Sequence, residues 1–143
     1  MSLLFSIHSV AWESTRCDLL AVRREVFIVE QGVPEEIEID DYDAVSLHFL
    51  AVDTDGVPIG TARLLPDGRI GRMAVMSRWR RCGVGRSIMM AVIKAARQQG
   101  KKEMHLHAQV HSIGFYESLG FEVCGEEFEE AGILHREMHR QLS

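Results

Sequence analysis

The stretch Arg80-Arg81-Cys82-Gly83-Val84-Gly85-Arg86 contains the residues whose types and spacing point most clearly to a chemical role. It follows an apolar, strand-like run that ends at Val75 and precedes a stretch with helical periodicity. The first N–H groups of a helix lack partners within the helix and carry partial positive charge, and glycine lets an anion approach the backbone closely. The arginines add fixed positive charge. The pattern therefore predicts an anion-binding site at the start of this helix.

Two nucleotide-binding motifs could explain such a loop, and neither fits. A P-loop requires G-x-x-x-x-G-K-[ST], and the loop contains no lysine. A dinucleotide fingerprint, G-x-G-x-x-G, would place its third glycine at position 88, which is Ile88. For the loop taken by itself, an ordinary glycine-rich helix start on a basic surface is an equal alternative.

Hydrophobic periodicity and turn residues indicate the elements that must position this loop. Asp55-Gly56 and Asp67-Gly68 separate apolar runs, which favours tight antiparallel turns, and Ala131-Gly132 predicts a closing hairpin. A helix between the fourth and fifth strands requires that pair to be parallel. We therefore expect a mixed α/β sheet with helices on both faces. The predicted strands cover residues 3–8, 47–53, 57–65, 70–75, 104–108, 121–128 and 133–140, and the predicted helices cover 13–30, 83–99 and 112–119.

Length and composition limit the class of protein. A chain of 143 residues with 46% hydrophobic and 26% charged residues predicts a single globular domain over residues 1–143. The net charge of -5 argues against nucleic acid as a partner. No stretch is long and apolar enough for a membrane span or shaped like a signal peptide. Because the three cysteines are few and far apart, a reducing, cytoplasmic location is expected.

Two separated motifs resemble those of the GCN5-related N-acetyltransferase (GNAT) family. Arg80-x-x-Gly83-x-Gly85, after a strand that ends Met73-Ala74-Val75, resembles the family's acetyl-CoA loop. The segment 109–121, QVHSIGFYESLGF, is similar to the family's N-x-x-A-x-x-F-Y-x-x-x-G-F helix. It departs from that pattern at Gln109 and Ser112, where asparagine and alanine are common.

The N-terminal part is similar to a narrower branch, the ElaA-like acetyltransferases. The matching residues are Arg23-x-x-Val26-Phe27-x-x-Glu30-Gln31, His48, and Gly132-Ile133-x-His135. The resemblance thus extends over nearly the whole chain. It implies an α/β (α+β) fold of GNAT type, a mostly antiparallel sheet whose central parallel strands splay apart at the acetyl-CoA site.

The family's chemistry is direct transfer of acetyl from acetyl-CoA to an amine. The resemblance implies that the loop N–H groups hold the pyrophosphate and that strand 73–75 runs along pantetheine, as an added strand would. A backbone N–H near Ala74 or Val75 would polarise the thioester carbonyl. The residues carried over as contacts of the co-substrate are Met73, Ala74, Val75, Arg80, Arg81, Cys82, Gly83, Val84, Gly85, Arg86, Gln109 and Ser112.

The catalytic assignments are Tyr116 and Glu30. Tyr116 matches the family's general acid, which meets the departing CoA thiolate; its alternative is a packing role beside Phe115. An acceptor amine must lose a proton before attack, and Glu30, at the end of the first predicted helix, is the first candidate base. His48, His107 or a base acting through water are the other candidates.

Several features keep alternatives open. The acceptor, a small molecule or a protein amine, is not specified, and a homodimer is plausible. A non-catalytic acyl-CoA-binding sensor or partner-binding module is the alternative function. His105-x-His107-x-x-x-His111 lacks residues to complete a zinc set, so no metal is expected. The acidic run 35–43 is interpreted either as a solvated loop or as a negative rim that steers cationic amines.

Overall fold

The computed structural model describes residues 4–35 and 39–142. Within them the chain forms a seven-stranded sheet with strand order β1-β2-β3-β4-β5-β7-β6. The predicted element order is confirmed; the opening strand lies two residues later than expected, and Leu3 falls outside the described residues. The strands are β1 Phe5–Val10, β2 Leu47–Asp53, β3 Pro58–Leu64, β4 Arg69–Val75, β5 Glu103–Gln109, β6 Glu122–Glu130 and β7 Ile133–Gln141; the helices are α1 Trp12–Arg23, α2 Val84–Gln98 and α3 Ile113–Glu117.

The first helix changes type along its length. The α-helical part, α1, ends at Arg23, and Arg24–Glu30 continues it as a π-helix. The Gln31 N–H bonds the Val26 carbonyl five residues back, at 3.1 Å. The wider π turn rotates later residues relative to an α-helix. For this reason Val26 is buried as expected, whereas Val29, predicted on the same apolar stripe, is 70% exposed.

Helices cover both faces of the sheet, as predicted. Gly60 of β3 faces α2, where a Cβ atom would meet the Ile88 Cδ1 atom at 2.8 Å. This close approach is possible only because position 60 has no side chain. Arg63, three residues further along β3, faces the opposite side, where Asp43 and α1 lie. Each face of β3 thus supports one helix.

The parallel contact between β4 and β5 is short. Only Arg69 with His105 and Ile70 with Leu106 are paired, and beyond them the two strands separate. The pairing of β3 with β4 is irregular at the same level, where Arg72 has a left-handed φ of 51°. Such bulges bend a strand and redirect its side chains. The sheet therefore opens in its middle, as expected of a GNAT fold.

The acidic segment closes back on the fold through buried ion pairs. Asp43 accepts hydrogen bonds from both terminal nitrogens of Arg23, at 2.9 and 3.1 Å, and one from Arg63 at 2.9 Å. Asp40 pairs with Arg63 at 2.6 Å and with Arg72 at 3.2 Å. Asp43 is 1% exposed. The interpretation as a solvated loop is therefore wrong for Asp43, and Asp40 lines the cleft but is paired with two arginines. Glu36 and Glu38 lie outside the described residues.

Candidate active site

The opening between β4 and β5 leads into a cleft of about 1090 Å³. One wall is the start of α2 with the loop before it; the other includes the end of the π-helix and the β6–β7 turn. Among the predicted contacts of the co-substrate, Cys82 alone is not part of the lining. The predicted residues that the structure brings together on this cleft are Met73, Ala74, Val75, Arg80, Arg81, Gly83, Val84, Gly85, Arg86, Gln109, Ser112, Tyr116 and Glu30.

The loop before α2 has the geometry that an anion site requires. Gly83, the residue that precedes the helix, has a left-handed φ of 85°. The first backbone bond of the helix is from the Ser87 N–H to the Gly83 carbonyl, at 3.0 Å. The N–H groups ahead of Ser87 have no partner within the helix and are available to a ligand. Exposed Arg81 and Arg86 flank them on the cleft lining. These residues fit a pyrophosphate.

Arg80 and Glu30 are joined across the cleft. The guanidinium of Arg80 donates to both Glu30 carboxylate oxygens, at 2.6 and 2.7 Å, and its Nε donates to the Val75 carbonyl at 3.0 Å. These hydrogen bonds from Arg80 outweigh the small effect of burial and lower the pKa of Glu30. In this arrangement Glu30 is a weaker proton acceptor than an ordinary glutamate. The contact that the structure shows for the Glu30 carboxylate is with Arg80, on the loop before α2.

The neighbouring residue makes a second bridge. The side-chain amides of Gln31 and Gln109 exchange two hydrogen bonds, at 2.9 and 3.2 Å. Gln109 is the last residue of β5 and Gln31 follows the π-helix. The π-helical segment is thereby tied to both sides of the opening, to the α2 loop by Glu30 and to β5 by Gln31.

Tyr116 lies on α3 and is 8% exposed. Its ring makes edge contacts with Phe115 and Phe121, with centroids 5.0 and 6.0 Å apart. Burial raises the pKa of the Tyr116 hydroxyl, because water no longer stabilises the phenolate. Like any tyrosine, Tyr116 is protonated at neutral pH and can act as a hydrogen-bond donor, and burial makes it a weaker acid. The packing role and the acid role of Tyr116 are compatible in this geometry.

The histidines separate into two groups. His48 is buried away from the cleft, bonded to the Asp43 carbonyl at 2.8 Å and stacked on Trp12, so it does not fit a base role. His107 and His111 line the cleft, and His105 does not. Among the residues that the structure describes, no cluster of three histidine, cysteine or acidic side chains is arranged to hold a metal ion.

Sequence analysis missed several cleft residues. Arg69, Glu130 and His135 line the cleft beside His107. They come from β4, β6 and β7, and nothing in their spacing along the chain brings them together. Only His135 carried a signal, as part of the matched Gly132-Ile133-x-His135 segment.

In the described part of the chain, no helix has both the length and the apolarity to cross a membrane.

Comparison with known proteins agrees with this geometry. Residues 15–142 match the model of the acetyltransferase (GNAT) domain family. The uncharacterized N-acetyltransferase YjcF of Bacillus subtilis is 40% identical, over 85% of this chain and 89% of YjcF. The crystal structure of Escherichia coli ElaA superposes with a TM-score of 0.84 at 30% identity, covering 96% of this chain and 99% of ElaA. An acyl-CoA N-acyltransferase from Pseudomonas aeruginosa superposes with a TM-score of 0.81 at 32% identity, covering 97% and 99%. The chain belongs to the GNAT acetyltransferase family, whose members use acyl-CoA as co-substrate, and it is similar to the ElaA branch.

Proposed function

We propose that this protein transfers an acetyl group from acetyl-CoA directly to a primary amine within a ternary complex. The observation that supports this most is the opening between β4 and β5, because it joins the anion site at the start of α2 to a second wall built from other elements. A thioester at the opening would have the donor loop on one side and space for an amine on the other. Both substrates could then be bound together.

The proposed roles follow from position. The unpaired N–H groups before Ser87, with Arg81 and Arg86, would hold the pyrophosphate. Backbone groups of Met73–Val75 would pair with pantetheine, and Tyr116 would donate a proton to the departing thiolate. Gln109 and Ser112 would contact the pantetheine arm.

Thiol release from acetyl-CoA in the presence of an amine panel tests the proposal. The panel contains alkylamines, polyamines, amino acids, arylamines and lysine-containing peptides. Release that depends on one class of acceptor, with the acetylated amine found by mass spectrometry, supports the enzyme. Binding of acetyl-CoA without acceptor-dependent release supports a binding module instead. Propionyl-CoA and longer acyl-CoA donors measure selectivity for acetyl.

Glu30→Gln separates two roles of that residue. Arg80, a predicted contact of the co-substrate, donates to Glu30 in this structure. A pyrophosphate bound by Arg80 would compete with Glu30 for the same guanidinium. Ion pairs as exposed as this one contribute up to about 1 kcal/mol, so we expect CoA to bind up to about fivefold more tightly to the variant. If Glu30 is also the base, kcat with an alkylamine falls at the same time.

Glu25→Gln is the control for this change, because Glu25 lies on the same π-helical segment but not on the cleft. Isothermal titration with CoA and steady-state kinetics measure the two effects separately. Weaker CoA binding by Glu30→Gln would contradict the competition for Arg80. Unchanged kcat would remove Glu30 from the list of bases.

A further inference from the structure

His107 occupies the point at which the sheet opens. Ile70 and Leu106 form the last parallel pair, and the next residues on the two strands are Gly71 and His107. Strand alternation places His107 with Gln109, on the face opposite buried Leu106 and Ala108. Gln109 bonds Gln31, so this is the face covered by the π-helical segment, where the acceptor wall lies. His107 therefore lies where β4 and β5 begin to separate, on the side of the cleft where the acceptor amine would bind.

Two charged groups meet one nitrogen of this ring. The Nδ1 atom of His107 lies 2.8 Å from Arg69 Nη2 and 3.1 Å from Glu130 Oε1. The second Glu130 oxygen lies 3.8 Å from Nε2 of His135, whose Nδ1–H donates to the Ile133 carbonyl at 2.7 Å. Phe128 contacts the His107 ring edge-on, with centroids 4.9 Å apart. Both contacts are made by Nδ1, and among the described residues Nε2 of His107 has no hydrogen-bond partner.

The two partners of Nδ1 require opposite protonation. With Nδ1 unprotonated, it accepts from Arg69, and Nε2 carries the hydrogen and cannot accept another. With Nδ1 protonated, it donates to Glu130, and Nε2 of the neutral ring has a free lone pair. A carboxylate on Nδ1–H is the arrangement that orients a histidine base. Glu130 therefore favours the tautomer that is able to accept a proton, whereas the shorter contact with Arg69 favours the other. The Nη2 atom of Arg69 also lies 3.7 Å from Glu130 Oε1, so Arg69 can turn from the ring to that carboxylate when Nδ1 is protonated.

We propose that His107, oriented by Glu130, is the proton acceptor for the acceptor amine. This inference rests on the proposed function. The ammonium group of the acceptor loses one proton to Nε2 of His107, and the freed lone pair attacks the acyl carbonyl. The C–N bond forms, the C–S bond breaks, and the nitrogen loses its second proton to solvent as the amide forms. The thiolate is protonated by Tyr116 or water. The imidazolium then returns its proton to solvent, and the hydroxyl of Tyr116 regains its own from there. No oxidant or reductant is needed.

This role is better suited to His107 than to Glu30. The carboxylate of Glu30 is bound to Arg80, which lowers its pKa. His107 sits at the end of the paired part of β4 and β5, where the thioester would enter from the donor side. The charged and titratable groups that face His107 are Arg69 from β4, Glu130 from β6, and His135 and Glu137 from β7.

A comparison of two acceptors with His107→Gln tests the proposal. A primary alkylamine is almost fully protonated at neutral pH, whereas hydroxylamine is largely neutral and needs no base before attack. We expect kcat/KM for the alkylamine to fall about 10²-fold or more, and that for hydroxylamine to fall much less. The difference in kcat/KM for the alkylamine between wild type and His107→Gln should become smaller as the pH rises, because hydroxide then removes the proton from the ammonium group. The KM for acetyl-CoA should stay near the wild-type value.

His105→Gln is the matched control. His105 lies on the same strand and the same face but in the paired part of the sheet, and it is absent from the cleft lining. Wild-type turnover by His105→Gln is expected. Wild-type turnover by His107→Gln, or equal losses of kcat/KM with the two acceptors, would overturn the role of His107 and leave the proposed function standing. If the wild-type protein releases no CoA with any amine, the proposed function fails, and this inference with it.

Nuclear magnetic resonance provides a readout independent of turnover. In 15N-histidine-labelled protein, long-range 15N–1H correlations identify which ring nitrogen of His107 carries hydrogen. We expect hydrogen on Nδ1 in the wild type and a shift toward the Nε2–H tautomer in Glu130→Gln, where Arg69 is the remaining charged partner. Nε2–H in the neutral wild-type ring would overturn the proposal. Because Glu130 only positions His107, we expect Glu130→Gln to lower kcat/KM for the alkylamine as well, but by a smaller factor than His107→Gln does.

Discussion

Replacing Asp43 with asparagine is expected to lower the free energy of unfolding by about 3–5 kcal/mol. Asp43 receives three side-chain hydrogen bonds, two from Arg23 and one from Arg63, and all three side chains are buried. The asparagine keeps the shape but removes the negative charge, and its amide group turns a donor toward a guanidinium. Buried Arg23 and Arg63 then lose the negative charge of Asp43, while Arg63 keeps its pair with Asp40.

Urea unfolding followed by circular dichroism measures the effect. Asp41→Asn is the control, because Asp41 is exposed and lies in the same segment. It should change the free energy of unfolding by no more than about 0.5 kcal/mol. Equal stabilities of the two variants would mean that the buried pairs contribute no more than a surface charge.

The dependence of stability on pH gives a second readout of the same carboxylate. Burial opposes ionisation of Asp43, but the hydrogen bonds and charges of Arg23 and Arg63 outweigh it and hold the pKa below its usual value. A carboxyl of this kind contributes stability that is fully present above its unfolded pKa of about 4 and is lost as the pH falls through the folded value. Wild-type stability should therefore fall on acidification below about pH 5. The fall should be smaller in Asp43→Asn.

Local signals were enough to predict a mixed sheet and the order of its elements, whereas the opening between the parallel strands was predicted from the family resemblance. Asp-Gly turns set the antiparallel strands, and Ala131 and Gly132 both have left-handed φ angles of 52° and 77°, as a two-residue hairpin turn requires. The α2 loop was recognised because its glycines, arginines and helix start are contiguous. Features of this kind depend on neighbours in the chain, which a sequence displays directly.

The parts that sequence reasoning missed depend on contacts between distant residues. Arg23 was named only as part of a matched segment, and nothing in the sequence indicated its partner Asp43, 20 positions away. Glu30 meets Arg80 across 50 positions, and His107 meets Glu130 across 23. The π-helix after Arg23 also rotates the residues that follow, so the α-helical period misplaced Val29. Opposite charges attract without a fixed spacing, so no period in the sequence marks these pairs.

Tyr116→Phe is expected to lower kcat with acetyl-CoA about 10²-fold or more, while the KM for acetyl-CoA changes little. Phenylalanine preserves the edge contacts of the ring with Phe115 and Phe121, so the fold should not change. The lost group is the hydroxyl, which is protonated at neutral pH. Without that donor the leaving thiolate must take its proton from water. This raises the barrier to breaking the C–S bond, which lowers kcat, and leaves the binding of acetyl-CoA unchanged.

The second tyrosine supplies the control for this measurement. Tyr42 also lines the cleft but is 54% exposed and lies over Arg63, on the acidic segment. Tyr42→Phe makes the same chemical change away from α3 and should leave kcat near the wild-type value. If both variants retain wild-type kcat, Tyr116 only packs the helix against the sheet. A rise in KM for acetyl-CoA at unchanged kcat would show instead that the hydroxyl contributes to binding, because an interaction made equally in ground and transition states appears in KM.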